Sequence, residues 1–384
     1  MNQKLFNITD EQEMLVETIR DITEKEFKPN SSELEQSGEF PFHNMKILGD
    51  LGILGISIPE EYGGSDGTVM DAVLILEEIA KGCYITGMAV LGEIGVQSKA
   101  IVAYGSEEQK QKYLPGIAKG ETILAICITE SEVGSDAGNM KTNSTLEGNS
   151  YIVNGTKQLI SRADVADLFL VFTRFEGEQG SQGVGCLLVE KGTPGLHVRQ
   201  GYQTMGGEYL WEVEFDNCAV PIDNVLVREN GFKKLMTAFN TQRCLNASIT
   251  LGLAEGAFNE ALKYTKEREQ FGRPVANFQG IQWMLSDMYV EIEASKSLLY
   301  RAAINAGKGF PDKIEASVAK LYTNEMAIRV TNQAMQLHGG YGYTKEYPVE
   351  RMVRGARFGA LGGGTSQIQK NLIGRHLLKT DKIF

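Results

Sequence analysis

Arg357-Phe358-Gly359-Ala360-Leu361-Gly362-Gly363-Gly364-Thr365-Ser366-Gln367-Ile368-Gln369 stands near the C-terminus of the 384-residue chain. Its three consecutive glycines permit close backbone approach and φ values closed to other residues. Thr365, Ser366 and Gln367 then offer hydroxyl and amide groups to a ligand, and Gln367 to Leu378 reads as a last helix.

Upstream of this stretch the chain is helical back to Gly231. Leu245, Ile249, Leu253, Ala257 and Ala261 recur every fourth residue, and Gly252 and Gly256 leave a small face for another helix. Ile281, Leu285, Met288, Ile292, Ser295, Leu299 and Ala302 form a second seam. Pro311 is suited to open the next helix at N1, which runs to about Leu337. His338 to Gly342 reads as a loop and Pro348 to Arg354 as a helix. Long amphipathic helices with short connections predict an antiparallel bundle.

Before Gly231 the texture is that of strands. Ile123 to Ile128 is a short apolar run, and Leu168 to Phe172 and Val184 to Val189 are similar. Trp211, Val213 and Phe215 alternate with Glu212 and Glu214, the period of a half-buried strand. Asn154-Gly155 predicts a type I′ hairpin turn. The first 120 or so residues are helical again. Thr9-Asp10-Glu11-Gln12 has capping-box spacing, with a helix to about Phe27. Further helices are predicted over Met45 to Leu51, Val69 to Ala80, residues 85–104, and from Ser106 to near Pro115. The predicted class is α+β: an N-terminal all-α domain (1–121), a middle β-barrel or sandwich (122–229) and a C-terminal four-helix bundle (230–384).

The formal charge of −11, with no broad basic face, argues against nucleic acid as a partner. Five scattered cysteines without a C-x-x-C pair predict neither a disulfide framework nor a metal site. Met1 to Asp10 lacks a signal-peptide core, and no apolar run is expected to reach ~18 residues. A reduced, cytoplasmic protein without a membrane segment is expected.

This α–β–α order, with its motifs, resembles the acyl-CoA dehydrogenase family over essentially the whole chain. Gly364 to Gln369 match the family's Y-E-G-T-S-E/Q-I-Q, whereas Gly362 and Gly363 replace its Tyr-Glu pair. Thr129-Glu130-Ser131-Glu132-Val133-Gly134-Ser135-Asp136 is similar to T-E-P-G-A-G-S-D. The resemblance implies that Ile128, Thr129 and Ser135 hold the flavin, with Ser135 also at the thioester. Alone, the segment also reads as a surface turn. Ile160 and Ser161 are implied against the flavin ring, with Leu159 in place of a tryptophan. Glu267-Arg268-Glu269-Gln270-Phe271-Gly272 resembles E-R-x-x-F-G, which alone is also a helix C-cap. The resemblance implies that Arg268 reaches a neighbouring subunit's FAD pyrophosphate, a task suited to its planar fork. Phe271, Gln270 and Gln279 are implied on the nucleotide. Gln336-Leu337-His338-Gly339-Gly340-Tyr341-Gly342-Tyr343 is the strongest signature. It implies Gln336, Gly339 and Gly340 at the FAD diphosphate, joined by Thr365 and Gln367, with His338 an ordinary loop histidine. Arg354-Gly355-Ala356-Arg357 lacks the aspartate of the usual R-D-A/C-R, so a local ion pair is expected to be missing.

The family reaction removes an α-proton as a β-hydride passes to the flavin. A carboxylate takes the proton from one of two positions, here Gly363 and Gln242. Neither is a base. Loss of a positioned base typically costs ~10² to 10⁴ in rate. Gly363 still offers its backbone N–H to the thioester, and Arg243 and Gly362 are implied at the substrate. Three readings follow. The base has moved, with Glu93 the candidate; or the acyl group is bulky, cyclic, conjugated or heteroatom-bearing, or is an enoyl group being reduced; or the protein is a catalytically silent FAD- and thioester-binding subunit. The implied partners are an acyl-CoA or carrier-protein thioester, an electron-transferring flavoprotein, and further copies of the chain as a dimer of dimers.

Overall fold

The computed structural model describes residue 6, residues 8–176 and residues 180–380. The Met1 to Asp10 reading falls mainly outside these. The chain divides into two compact units.

One unit comprises Ser37–Gly67 and Ala89–Phe239. Its centre is an eight-stranded sheet: β1 (Leu124–Cys127), β2 (Asn143–Glu147), β3 (Ser150–Ser161), β4 (Leu168–Phe175), β5 (Val184–Glu190), β6 (Leu196–Gln203), β7 (Tyr209–Pro221) and β8 (Val225–Val227). The order is β6-β7-β3-β2-β4-β5-β8, with β1 parallel to β4. The sheet curls over one core. Ala125, Phe169, Val171 and Leu187 from β1, β4 and β5 pack with Val153, Val213, Phe215 and Val220 from β3 and β7. Long, nearly unbroken apolar strands such as β4 and β5 are the expected product of burial on both faces.

Two expectations fail here. Asn154-Gly155 is not a turn but lies within β3, at a break in the register against β7. Gly155 is needed because a Cβ there would stand 2.5 Å from Thr142 Oγ1. The hairpin turn is one step earlier, at Gly148-Asn149, where Glu147 pairs with Ser150 and Gly148 has φ +61. Glycine in the first turn position fits a type II′ turn. The helix from Glu107 does not stop near Pro115 but runs to Ala118, its buried face held by Leu114 and Ile117.

The other unit comprises Met1–Gln36, Thr68–Met88 and Asn240–Phe384. Its helices include Asp10–Ile22, continued by a π turn to Phe27, and Val69–Gly82. Most of Gly231–Glu267 follows, then Gln279–Ala306 and Lys313–Leu337. The last starts after Asp312, whose carboxylate accepts from Ile314 N and Glu315 N, so Pro311 precedes the cap rather than opening the helix. Arg354 is paired despite the lost aspartate, with Glu350 at 2.9 Å and with Glu35. Between Val69–Gly82 and Gly231–Glu267, the buried carboxylates Glu77 and Glu255 are neutralised by Lys81 and Lys296. One long stretch is apolar by average composition although Glu93 and Lys99 interrupt it. Tyr84–Tyr104 spans 21 residues apolar enough to cross a membrane by composition, but its apolar window is 89% buried in the protein. It is two helices, Tyr84–Ile94 and Val96–Tyr104, interrupted at Gly95.

Candidate active site

In the sheet unit, the end of β1 is held by a buried ion pair. Lys157 is fully buried on β3 and donates to Glu130 Oε1 at 2.8 Å and to Ile128 O at 3.1 Å. Glu130 also accepts from Lys141 N at 2.7 Å and Thr142 N at 3.0 Å. Burial pushes the Glu130 carboxyl up, but the Lys157 ammonium and these N–H groups outweigh it and hold it below the usual range. Gln158 N donates to Thr129 O at 2.8 Å. Ile128 and Thr129 are thereby fixed opposite β3, both half-buried, while Ser135 is exposed further along the loop. On β3, Ile160 is buried and Ser161 half-buried, between Leu159 and Arg162, which both have positive φ (+59 and +62). Such values are uncommon without glycine and mark a backbone constrained by its surroundings.

Arg162 explains Glu93. The Glu93 carboxylate is 0% exposed and accepts from Arg162 Nη1 at 3.0 and 3.1 Å and from Leu124 N at 3.2 Å. Gly92 leaves room for the guanidinium, because a Cβ there would lie 1.7 Å from Nη1. Glu93 is thus held in a buried ion pair, and burial pushes its carboxyl up despite the opposing Arg162 charge.

In the helical unit, Tyr264, Arg268, Gln270, Gln336, His338, Gly339, Gly340 and Tyr341 line a groove of about 530 Å³. The Arg268 guanidinium lies over the Tyr341 ring. His338 is buried, stacked on Tyr264, with its Nδ1 2.8 Å from Ala334 O. Burial lowers its pKa. It is a packing residue, as expected for a loop histidine. Gly339 has φ +60, and a Cβ at Gly339 or Gly340 would meet open space, so the backbone there is bare to a ligand. Phe271 and Gly272 form a two-residue turn, both at positive φ, between Glu269–Gln270 and Arg273–Pro274. It leaves the Phe271 ring 92% exposed. Gln279 opens the helix that follows, and Gln367 is exposed in the first turn of Ser366–Leu377. Thr365 caps that helix, its hydroxyl accepting from Ile368 N at 3.3 Å.

The glycine loop is clamped by side chains the sequence reading did not single out. Lys320, 1% exposed, donates to Gly359 O at 2.8 Å, Gly362 O at 2.9 Å and Gly364 O at 2.5 Å. Burial pulls its ammonium down to about 7, and the Arg243 charge adds to this. Asn324 donates to Gly359 O at 2.7 Å, and Asn246 contacts Gly362 O at 3.4 Å. The glycines do not open space. A Cβ on Gly362 would stand 2.3 Å from the Phe358 ring, and one on Gly363 would stand 2.2 Å from Asn246 Nδ2. Gln242 is near, its Cγ 3.9 Å from that same Gly363 point. Gly363 and Gln242 are therefore neighbours, and neither carries a carboxylate. Lys320 and Asn324, one turn apart on a buried helix, were the available signal: polar residues on a face that needs partners.

The chain matches the family descriptions "Acyl-CoA dehydrogenase, N-terminal domain" over residues 9–121, "middle domain" over 125–218 and "C-terminal domain" over 229–378. It is 41% identical over 371 residues to the short-chain specific acyl-CoA dehydrogenase of Clostridium acetobutylicum, covering 96% of this chain and 98% of the relative. The chain belongs to the acyl-CoA dehydrogenase family. It is also 40% identical over 384 residues to the acryloyl-CoA reductase (NADH) of Anaerotignum propionicum, covering 99% and 97% of the two chains. The butyryl-CoA dehydrogenase structure from Megasphaera elsdenii superposes with a TM-score of 0.94 at 34% identity, covering 97% of this chain and 99% of that one.

As a member of the acyl-CoA dehydrogenases, the chain is an FAD-dependent oxidoreductase acting on the CH–CH bond of an acyl-CoA. The helical groove fits such a cofactor. Bare glycine backbone, an exposed guanidinium and exposed aromatic rings suit a nucleotide diphosphate.

Proposed function

We propose that this acyl-CoA dehydrogenase acts on an acyl thioester whose chemistry needs no carboxylate base at the usual positions. The observation that carries this is the Gly363–Gln242 corner, where both base positions are adjacent and uncharged. The three domains are taken as 1–121, 122–229 and 230–384. Ile128, Thr129, Ser135, Ile160 and Ser161 are assigned to the flavin ring. Arg268, Gln270, Phe271, Gln279, Gln336, Gly339, Gly340, Thr365 and Gln367 are assigned to its nucleotide part. Bound there, FAD supplies the hydride chemistry. Gly363 N–H is assigned to the thioester carbonyl, where it stabilises charge as the α-carbon becomes enolate-like. Ser135, Arg243 and Gly362 are assigned to the substrate.

A conjugated, cyclic or heteroatom-bearing acyl group fits this corner better than a saturated straight chain, whose α-proton needs a positioned base. Reduction of an enoyl thioester is the second reading. The same uncharged corner favours it, because a strongly basic enolate can be protonated from water. Arg268 and the strained, exposed Phe271 support a homo-oligomer in which one copy completes another's nucleotide site. An electron-transferring flavoprotein is the proposed redox partner. The five cysteines are all buried and unbridged, which supports a reducing, cytoplasmic setting.

The test is anaerobic titration of the flavin-loaded protein with saturated, conjugated, cyclic and enoyl thioesters, read as flavin bleaching or reoxidation. Response to a conjugated, heteroatom-bearing or enoyl thioester, with little to butyryl- or octanoyl-CoA, is expected. Rapid bleaching by straight-chain acyl-CoA would refute the proposal. Silence with every thioester would assign a binding subunit instead.

A further inference from the structure

A buried cation sits beneath the glycine loop. Lys320, on Lys313–Leu337, is 1% exposed and donates to the carbonyl oxygens of Gly359, Gly362 and Gly364. An ammonium has three N–H donors and no acceptor, so the three carbonyls match it one for one. A neutral amine has two donors and a lone pair, and would leave one carbonyl facing that lone pair. The arrangement is therefore built for the charged form.

Gly362 O is the informative acceptor. It takes Lys320 Nζ at 2.9 Å and Asn246 Nδ2 at 3.4 Å. The peptide that carries this oxygen also carries the N–H of Gly363. A trans peptide is planar, with its C=O and N–H pointing to opposite sides. With Gly362 O turned to the buried ammonium, Gly363 N–H is turned away from it, on a residue that is itself only half-buried. Among the described residues Gly363 N donates to nothing, whereas Leu361 N and Gly362 N both reach Phe358 O. Backbone N–H groups seldom go without an acceptor, so this one is left for a ligand or for water.

Resting on the assignment of Gly363 N–H to the thioester carbonyl, we propose that Lys320 is a positioning residue whose charge acts through the Gly362–Gly363 peptide to strengthen the hydrogen bond that polarises the thioester. Drawing electron density onto Gly362 O makes the N–H at the other end of the amide more positive. Hydrogen bonds in such a chain strengthen one another by ~10–30% per bond, and a charged donor acts roughly twice as strongly as a neutral one. The effect is largest when the thioester oxygen becomes negative, as the α-carbon turns enolate-like. With no carboxylate at Gly363 or Gln242, polarisation of the thioester carries more of the activation of the α-carbon. The charge is held at a cost. Burial and Arg243 of Gly231–Glu267 pull the ammonium down to about 7, against Glu325 of its own helix. Deprotonation removes both the charge and one donor.

The experiment is isotope-edited infrared spectroscopy of butyryl-CoA, labelled at the thioester carbonyl and bound under argon to the FAD-loaded full chain. The carbonyl band should fall in frequency on binding. Lys320→Gln, which keeps an uncharged donor, should give back roughly a third of that fall, and Lys320→Met more. In the wild type the fall should shrink as pH rises through about 7, where Lys320 loses its proton, and in Lys320→Met it should not change with pH. A packing role alone would not move the band with pH, and the wild-type titration decides the matter where a variant fails to fold. A band that falls on binding but ignores pH in the wild type, or falls equally in all three proteins, would overturn the proposal and leave the Gly363 assignment standing. If the band does not move on binding, both fall.

Discussion

Gly363→Glu places a carboxylate at the proposed base position, and the structure says it should fail alone. Gly363 has φ +65, and its Cβ would come within 2.2 Å of Asn246 Nδ2. The left-handed backbone costs a non-glycine residue ~1–2 kcal/mol. Displacing Asn246 from Gly362 O removes a hydrogen bond worth ~1 kcal/mol. The sum is ~2–3 kcal/mol. With ~2 cal/mol/K of unfolding entropy per residue over 384 residues, Tm should fall by ~3 °C. The new carboxylate, pushed aside by Asn246, should give no gain in flavin reduction by octanoyl-CoA. Asn246→Ala removes the colliding amide. The double variant Asn246→Ala/Gly363→Glu should therefore gain ~10²-fold or more in that rate, the contribution of a positioned base. Scanning calorimetry and anaerobic stopped-flow absorbance measure the two quantities. A single variant that is as stable as wild type, or that gains the full rate without Asn246→Ala, would show that Asn246 does not govern this corner.

Glu130→Gln should cost ~3–5 kcal/mol, because it leaves Lys157 buried and unpaired, and should lower flavin content; denaturant unfolding with flavin absorbance checks both. Lys320 binds its proton in the unfolded chain up to its ordinary value of 10.5 but releases it near 7 when folded. Unfolding therefore takes up a proton between these values, so the Lys320 contribution to stability rises as pH increases from 7 towards 10, by on the order of a few kcal/mol. Subtracting the unfolding free energy of Lys320→Met across that range isolates it, and a flat or falling difference refutes the assignment. Gly155→Ala should cost ~2 kcal/mol or more, since the added methyl would stand 2.5–2.8 Å from Thr142, and thermal unfolding should report it.

The sequence by itself determined the order of the architecture, because helix and strand periods and capping boxes are local properties. Thr9 and Ser106 cap where their spacing predicts, and the seam from Met288 to Ala302 is buried as its period requires. It also determined that Gly363 and Gln242, the proposed base positions, carry no carboxylate, since residue identity needs no coordinates. Only tertiary structure decided what occupies the space around them. Asn154-Gly155 has the local chemistry of a turn, yet the neighbouring Thr142 and β7 make it a bulge inside a strand. Glu93 has the chemistry of a base, yet Arg162, 69 residues away, pairs with it. Gly362 and Gly363 look like missing volume, yet Phe358 and Asn246 stand against them. Except for Phe358, four residues before Gly362, the deciding partners are remote in sequence, and close packing brings together groups that no local period relates.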